Sequence, residues 1–180
     1  MELQKRKPIR LKNYDYSNVG AYFITVCTKN REPFLSTITI GDGSAVPQNK
    51  INARPQNKTA VPNIILTPLG QIVENHINMM SEKYPNTKID AYIIMPDHVH
   101  MVLVINHGRA DPAPTIGNIM GWFKYATTKQ IAHCWNTSDN HFWQRSYHDH
   151  VIRNDNEYYA ICQYIDENPM RWLQKHSHHG

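Results

Sequence analysis

The stretch from Tyr92 to Val104 constrains the fold more than any other part of the chain. Two apolar runs flank a Pro96-Asp97 break, and the second run begins with His98-Val99-His100. Such runs, bounded by turn residues, predict two neighbouring strands with a short connection. Side chains alternate between the faces of a strand, so both histidines are expected on one side. Two imidazoles on one face form half of a divalent-metal site, and the alternative is a pair of polar residues at an exposed strand end.

The composition is that of one globular domain. The chain has 180 residues, of which 41% are hydrophobic and 19% are charged, so it can bury a substantial core. The net charge of +4 points weakly towards a polyanionic partner. The three cysteines form no Cys-x-x-Cys pair, which predicts neither a disulfide framework nor a zinc ribbon and suits a cytoplasmic location. No signal peptide or membrane-spanning stretch is expected.

The order of predicted elements favours an α+β, ferredoxin-like fold. Strands are expected at 21–29, 88–95, 98–106 and around 143–153, and helices at 67–84, 115–133 and from residue 154 or 155 onwards. This alternation predicts one antiparallel sheet with helices on one face and an additional C-terminal helix. The strand that carries the histidines would be central.

Residues 41–63 differ in composition from the rest of the chain. Ala-Val-Pro-Gln-Asn-Lys at 45–50 nearly recurs at 54–58, and Ala-Val-Pro returns at 60–62. A segment so poor in apolar residues cannot bury much surface. We therefore expect a single domain over 1–180 with a flexible insertion at about 41–63.

The last predicted helix supplies the second half of the candidate site. Tyr164 and Asn168 are four residues apart, so a helix places both on one side. Pro169 disfavours helical geometry at Asn168, so the helix is expected to bend or end there and to free the amide oxygen as a metal ligand. A cation beside the phenol could polarise a phosphate, and a tyrosine–phosphate bond would conserve the energy of the broken phosphodiester. The alternatives are an amphipathic core tyrosine and an ordinary helix-stop asparagine.

Several separate motifs occur in an order that resembles the single-tyrosine HUH transposases, and among them the REP-associated tyrosine transposases. They are Met95-Pro96-Asp97-His98-Val99-His100, the segments 143–147 and 149–153, and Tyr164-Ile165-x-x-Asn168-Pro169. The segments 8–12, 20–25 and 66–70 are also similar to that branch. The resemblance covers nearly the whole chain except residues 41–63.

The resemblance implies a ferredoxin-like enzyme that cleaves single-stranded DNA beside hairpins of palindromic repeats. His98 and His100 would hold Mg²⁺ or Mn²⁺, with Asn168 as the third protein ligand. Tyr164 would be the nucleophile, leaving a 5′-phosphotyrosine and a free 3′-hydroxyl. Asp97 stands where the family often has Asn, a departure that is not expected to disturb the ligands.

Other residues have looser predicted roles. Tyr147 is the rival nucleophile, although it lacks an oxygen ligand at helical spacing. His150 is expected to support the metal or contact a phosphate, and Arg145 and Arg153 to contact phosphates. Further candidate DNA-binding cations, each of which could instead be a solvated charge, are Lys5, Arg6, Lys7, Arg10, Lys12, Lys124 and Lys129.

Two further functions fit the same predicted fold. One is a non-catalytic module that binds single-stranded RNA or DNA, which would need exposed aromatic residues on the central strands, where this chain has aliphatic residues and histidines. The other is a domesticated relative that binds hairpins without transposing. A location at the nucleoid is expected for the enzyme, and the sequence leaves monomer and homodimer open.

Overall fold

The computed structural model describes residues 19–41, 61–106, 114–135 and 141–176. The strands are β1 (Gly20–Cys27), β2 (Ser36–Gly41), β3 (Val61–Leu66), β4 (Thr87–Ile94), β5 (His98–Ile105) and β6 (His148–Ile152). The helices are α1 (Pro68–Asn78), α2 (Met80–Lys83), α3 (Ile116–Trp135) and α4 (Asp155–His176), and a short 3-10 turn covers Lys29–Arg31. Within these ranges no helix is both long and apolar enough to cross a membrane.

Four strands form one antiparallel sheet in the order β4-β5-β1-β6. β2 and β3 form a separate two-stranded sheet. In the main sheet the central strands are β1 and β5, which are the first and third of its four strands in chain order. This is the ferredoxin-like arrangement that the sequence predicts, and β5 is central as expected.

The main sheet is covered on both faces, by different helices. On one face Tyr22, Ile24 and Val26 of β1 share a large core with alternate residues of β5 and with residues of α1 and α3. On the other face Val102 and Ile152 pack with Ile165 of α4. The alternation along β5 therefore directs Val99 and Met101 towards α1 and α3. It directs His98 and His100 towards α4, the additional C-terminal helix of the prediction.

Two helix predictions need correction. The single helix expected at 67–84 is α1 followed by α2, with Met79 between them. The last helix is expected to bend or end at Asn168, and the second outcome is wrong, because α4 continues through Pro169 to His176. A bend at that point stays a prediction. A proline inside a helix removes one backbone hydrogen bond. Here that turn is buried together with Ile165 and Asn168, so its packing on the sheet maintains the helix.

Two strand predictions also change. The strand expected around 143–153 is confined to β6, because residues before it cross the end of β1, where Trp143 forms an isolated bridge with Thr28. β2 and β3 form a hairpin that was not predicted, and it includes Gly41 and Val61–Asn63 at the borders of the expected insertion. Residues 42–60 lie outside the described ranges, so the flexible insertion and the single-domain organisation stay predictions.

Candidate metal and nucleophile site

The two histidines of β5 approach each other through their Nε2 atoms. His98 and His100 are buried, with 8% and 4% of their surface exposed, and their Nε2 atoms are 3.1 Å apart. The Nδ1 atom of His100 is 2.8 Å from Oγ1 of Thr25 on the neighbouring strand. The Nδ1 atom of His98 is hydrogen-bonded to the Asp97 carboxylate. Both Nδ1 atoms thus have hydrogen-bond partners, and the two Nε2 atoms face each other on the α4 side of the sheet.

Helix α4 lies over the two Nε2 atoms. Tyr164, Asn168 and Trp172 follow one another at intervals of one helical turn, so they share a side of the helix. The Tyr164 hydroxyl is 3.5 Å from Nε2 of His100, and the Trp172 ring is 6.2 Å from the His98 ring. Asn168 is 7% exposed and lies between these two contacts on the same side of the helix. The fold therefore brings a phenol to the histidine pair and places a buried asparagine one helical turn further along the same side of α4.

Aromatic and charged groups surround the phenol. The Phe23 ring stacks on His100 at 5.1 Å and meets the Tyr164 ring edge-on at 6.0 Å. The Arg171 guanidinium lies 5.4 Å from the centre of the Tyr164 ring and forms an ion pair of 2.8 Å with Glu167. The Tyr164 side chain is therefore half-buried between the Phe23 ring and the Arg171 guanidinium.

The electrostatics favour a neutral His100 imidazole and an ionised Asp97 carboxylate. Burial, together with the charges of His98 and Arg31, lowers the pKa of His100 to about 3. Burial acts to raise the pKa of Asp97, but the hydrogen bond and charge of His98 and the charge of Arg31 outweigh it, so this pKa is lowered. A neutral imidazole keeps a lone pair on one nitrogen, which is the form that binds metals.

The donor set fits one divalent cation. Two ligand atoms about 2.1 Å from a cation and at right angles to each other lie about 3 Å apart, and the two Nε2 atoms are separated by 3.1 Å. Among the described residues, no group of three or more His, Cys, Asp or Glu side chains could hold a metal ion. A cation here would therefore need Asn168 as well as the two imidazoles.

Among the more loosely predicted residues, the His150 side chain is paired with a carboxylate of α4. Nε2 of His150 is 2.6 Å from a Glu157 carboxylate oxygen, whose other oxygen accepts from the Arg153 backbone N–H at 2.7 Å. Arg145 is exposed. In the described part of the chain, no hydrogen bond or ion pair joins His150, Arg145 or Arg153 to the histidine pair. Their phosphate contacts stay predictions.

Of the candidate DNA-binding cations, Lys124 and Lys129 lie in the described ranges, and both contact other residues of this chain. Nζ of Lys124 donates to the carbonyl groups of Gln144 and Arg145 at 2.6 and 2.8 Å, so it fixes the segment that precedes β6. Lys129 lies over the Tyr125 ring. The five basic residues from Lys5 to Lys12 lie outside the described ranges.

Tyr147, the rival nucleophile, lies on the other side of the sheet. It is half-buried and packs against the large core beneath α1 and α3. The histidine pair faces α4, so the geometry favours Tyr164 over Tyr147 as the tyrosine beside a metal.

Three residues that support the histidine pair have no such role in the sequence-based prediction. Thr25 holds His100, Asp97 holds His98, and Arg31 is 3.5 Å from Asp97. Thr25 could have been found once β1 was placed beside β5, because it alternates away from the apolar positions of β1. Arg31 has no sequence signal, since its position depends on the turn after β1.

Comparison with known proteins identifies the family. A family model described as "Transposase IS200 like" matches residues 60–168, which is more than half of the chain. An uncharacterised protein of Haemophilus influenzae is 31% identical over 189 residues, covering 96% of this chain and 92% of that protein.

A solved structure has a similar fold. A REP-associated tyrosine transposase, determined bound to a REP hairpin, matches with a TM-score of 0.56 and 20% identity, over 90% of this chain and 73% of that one. A putative transposase from Deinococcus radiodurans matches with a TM-score of 0.47 and 16% identity, over 89% of this chain and 96% of that one. The family match covers β5, α3, β6 and α4 as far as Asn168. The chain belongs to the IS200-like transposase family.

Proposed function

We propose that this protein is a metal-dependent endonuclease and strand transferase of single-stranded DNA that acts through a covalent 5′-phosphotyrosine on Tyr164. One observation carries the proposal. The Tyr164 hydroxyl, at the far end of the chain from β5, is 3.5 Å from Nε2 of His100, which in turn is 3.1 Å from Nε2 of His98. A nucleophile candidate thus lies beside a pair of atoms suited to a cation.

The residues would divide the reaction among them. His98, His100 and Asn168 would hold Mg²⁺ or Mn²⁺, which when bound polarises the scissile phosphate and offsets its developing negative charge. The Tyr164 oxygen attacks the phosphorus atom, a Tyr–O–P bond forms and the bond from phosphorus to the 3′ oxygen breaks. The phenol gives its proton to solvent, and the leaving 3′ oxygen takes one up. Attack by another 3′-hydroxyl reverses these changes and joins the strand to a new end.

The surroundings of Tyr164 suit this role. The Phe23 ring contacts both Tyr164 and His100, so it restricts the orientation of the phenol relative to the histidines. The Arg171 guanidinium over the Tyr164 ring adds a positive charge where a phosphate would approach. The reaction needs no group that the chain and a divalent cation do not supply.

Hairpin DNA is the proposed substrate. The REP-associated transposase of similar fold was determined with a REP hairpin bound. The present chain carries a net charge of +4, which suits a polyanion. The proposal assigns this protein to the same branch and to single-stranded DNA with palindromic repeats.

A covalent-adduct assay tests the proposed function. The protein is incubated with Mn²⁺ and single-stranded hairpin DNA from the flanks of its gene, and DNA-linked protein is separated on a denaturing gel. Tyr164→Phe should remove the adduct and leave DNA binding unchanged, because only the attacking oxygen is lost. Tyr159→Phe is the matched control, since Tyr159 lies on the same helix and is 69% exposed.

Metal removal completes the test. Excess chelator should abolish the adduct of the wild-type protein, and Mn²⁺ should restore it. An adduct that persists in Tyr164→Phe would move the nucleophile elsewhere, whereas an adduct insensitive to chelation would contradict the metal role. Hairpin binding without any adduct would indicate a relative that binds DNA but no longer cleaves it.

A further inference from the structure

The Asp97 side chain connects the histidine pair to the turn that follows β1. One carboxylate oxygen accepts a hydrogen bond from Nδ1 of His98. The other oxygen is 3.5 Å from the Arg31 guanidinium. Asp97 is 7% exposed, so the carboxylate is largely withdrawn from water and uses each oxygen for a different partner.

The backbone around Asp97 is fixed from outside its own hairpin. The Asp97 carbonyl accepts from the Thr28 backbone N–H at 2.9 Å and from the Thr28 hydroxyl at 3.0 Å. The preceding Pro96 carbonyl accepts from the Leu35 N–H at 2.9 Å. The connection between β4 and β5 is therefore held by residues on both sides of the Lys29–Arg31 turn, and the carboxylate has little freedom to move.

That turn has an unusual backbone. Asn30 and Arg31 have φ values of 55° and 60°, the left-handed region that L-residues other than glycine avoid at a cost of roughly 1 kcal/mol each. Asparagine tolerates this conformation, but arginine gains nothing from it locally. In this conformation the Arg31 side chain reaches Asp97.

We propose that Asp97 is a positioning residue that keeps the proton of His98 on Nδ1, so that the Nε2 lone pair of His98 is directed at the cation site, with Arg31 holding the carboxylate in place. The inference rests on the proposed function, in which His98 is a metal ligand. A carboxylate paired with a guanidinium can only accept a hydrogen bond, so it selects one tautomer of the imidazole. A carboxamide presents either an oxygen or an NH₂ group and would allow both tautomers.

The residue type at position 97 therefore affects the tautomer of His98. An asparagine at this position could turn its NH₂ group towards Nδ1 and move the ring proton to Nε2, the nitrogen that a metal needs. The aspartate of this chain excludes that state. The conservative variant Asp97→Asn therefore isolates the effect of the carboxylate, with almost no change in shape.

The first test needs no metal. Long-range ¹H–¹⁵N spectra of metal-free protein report the tautomer of each imidazole, and Asp97→Asn, Asp97→Ala and the exposed control Asp166→Asn are compared with wild type. We expect His98 protonated at Nδ1 in wild type and in Asp166→Asn, and a mixture of tautomers in both Asp97 variants. Wild-type His98 protonated at Nε2 alone would overturn the inference.

The second test is Mn²⁺ affinity, measured by titration calorimetry on the same four proteins after circular dichroism has shown that each is folded. Loss of the group that orients a metal-bound histidine weakens metal binding about 10–100-fold, and we expect this for Asp97→Ala with a smaller loss for Asp97→Asn. Equal affinities in all four proteins would overturn the role of Asp97 and leave the proposed function standing. A wild-type protein that binds no Mn²⁺ would instead overturn the proposed function itself.

Discussion

At the scale of single residues, the site depends on which nitrogen each imidazole leaves for a ligand. Thr25 and Asp97 each occupy the Nδ1 atom of one histidine, so the two Nε2 atoms converge opposite Tyr164. Burial lowers the pKa of His100 to about 3, which keeps this ring neutral at physiological pH. In the proposed metal site, the polar residues next to the histidines would orient both imidazoles before a cation binds.

A second residue-scale contact gives a pH prediction. The Tyr158 hydroxyl of α4 donates to Asp90 of β4 at 3.0 Å, and burial, followed by this hydrogen bond and the Asp90 charge, raises the Tyr158 pKa above its usual value. A raised folded-state pKa gives stability that is complete below about pH 10, the unfolded-state pKa, and is lost as the pH rises through the folded-state pKa. Tyr158→Phe should remove this contribution.

Urea unfolding at several pH values measures the contribution of the Tyr158–Asp90 hydrogen bond to stability. Below pH 10 we expect Tyr158→Phe to lower the free energy of unfolding by about 1 kcal/mol, the typical value of one hydrogen bond. The difference between the two proteins should shrink above about pH 10. A difference that stays constant up to pH 11 would contradict the assignment.

At the scale of elements, α4 carries the phenol, the carboxamide and an indole along one side over the histidine strand. Its continuation through Pro169 matters, because Trp172 contacts His98 only if the helix extends beyond that proline. Asn168 therefore lies in the interior of a continuous helix with its side chain buried, and not at a helix end.

The start of α1 gives an element-scale prediction. A Cβ atom on Gly70 would lie 2.0 Å from the Leu35 carbonyl oxygen, which also accepts from the Thr67 backbone N–H at 3.0 Å. Gly70→Ala must displace the backbone where α1 meets the residue before β2. We expect a loss of about 3 kcal/mol in the free energy of unfolding.

Gly121 provides a matched control in α3. No atom lies within 4 Å of a Cβ atom placed there. Gly121→Ala should stabilise the protein by up to ~1 kcal/mol, because alanine has the higher helix propensity. Denaturant unfolding of both variants checks the pair, and equal effects of the two substitutions would contradict the close approach at Gly70.

At the scale of the whole molecule, the two faces of the sheet are covered unequally. The core beneath α1 and α3 contains large side chains that are fully buried, among them Tyr22, Phe123 and Met101. Beneath α4 the buried apolar side chains are Val102, Ile152 and Ile165, with partly buried neighbours. The helix that carries Tyr164 is thus attached to the sheet by the smaller of the two cores.

This inequality predicts a difference in local stability. Amides in the middle of α4 should exchange with solvent deuterium at least about 10-fold faster than those of β1 and β5, because less apolar burial opposes their opening. Hydrogen exchange followed by mass spectrometry measures both regions in one experiment. Equal protection of α4 and the central strands would contradict the prediction and make α4 part of one cooperative unit with the sheet.

The order of the main-sheet strands and of the long helices, and the facing of the site residues, could be predicted from local patterns. Alternation along β5 put both histidines on one face, and the spacing of Tyr164 and Asn168 put both on one side of a helix. The continuation of α4 past Pro169 could not be predicted from the sequence, because burial of that turn is a tertiary effect. The Arg31–Asp97 contact could not be predicted either, since it depends on a left-handed turn at Asn30 and Arg31. The Ser-Thr-Ile-Thr-Ile alternation at 36–40 is the signal that would have indicated β2.

The central claim is that the phenol beside the histidine pair attacks DNA. Its most direct measurement is tandem mass spectrometry of the DNA-linked peptide, after wild-type protein has reacted with single-stranded hairpin DNA and Mn²⁺. We expect a nucleotide attached through its 5′-phosphate to Tyr164. A nucleotide attached to Tyr147 or to any other residue would contradict it.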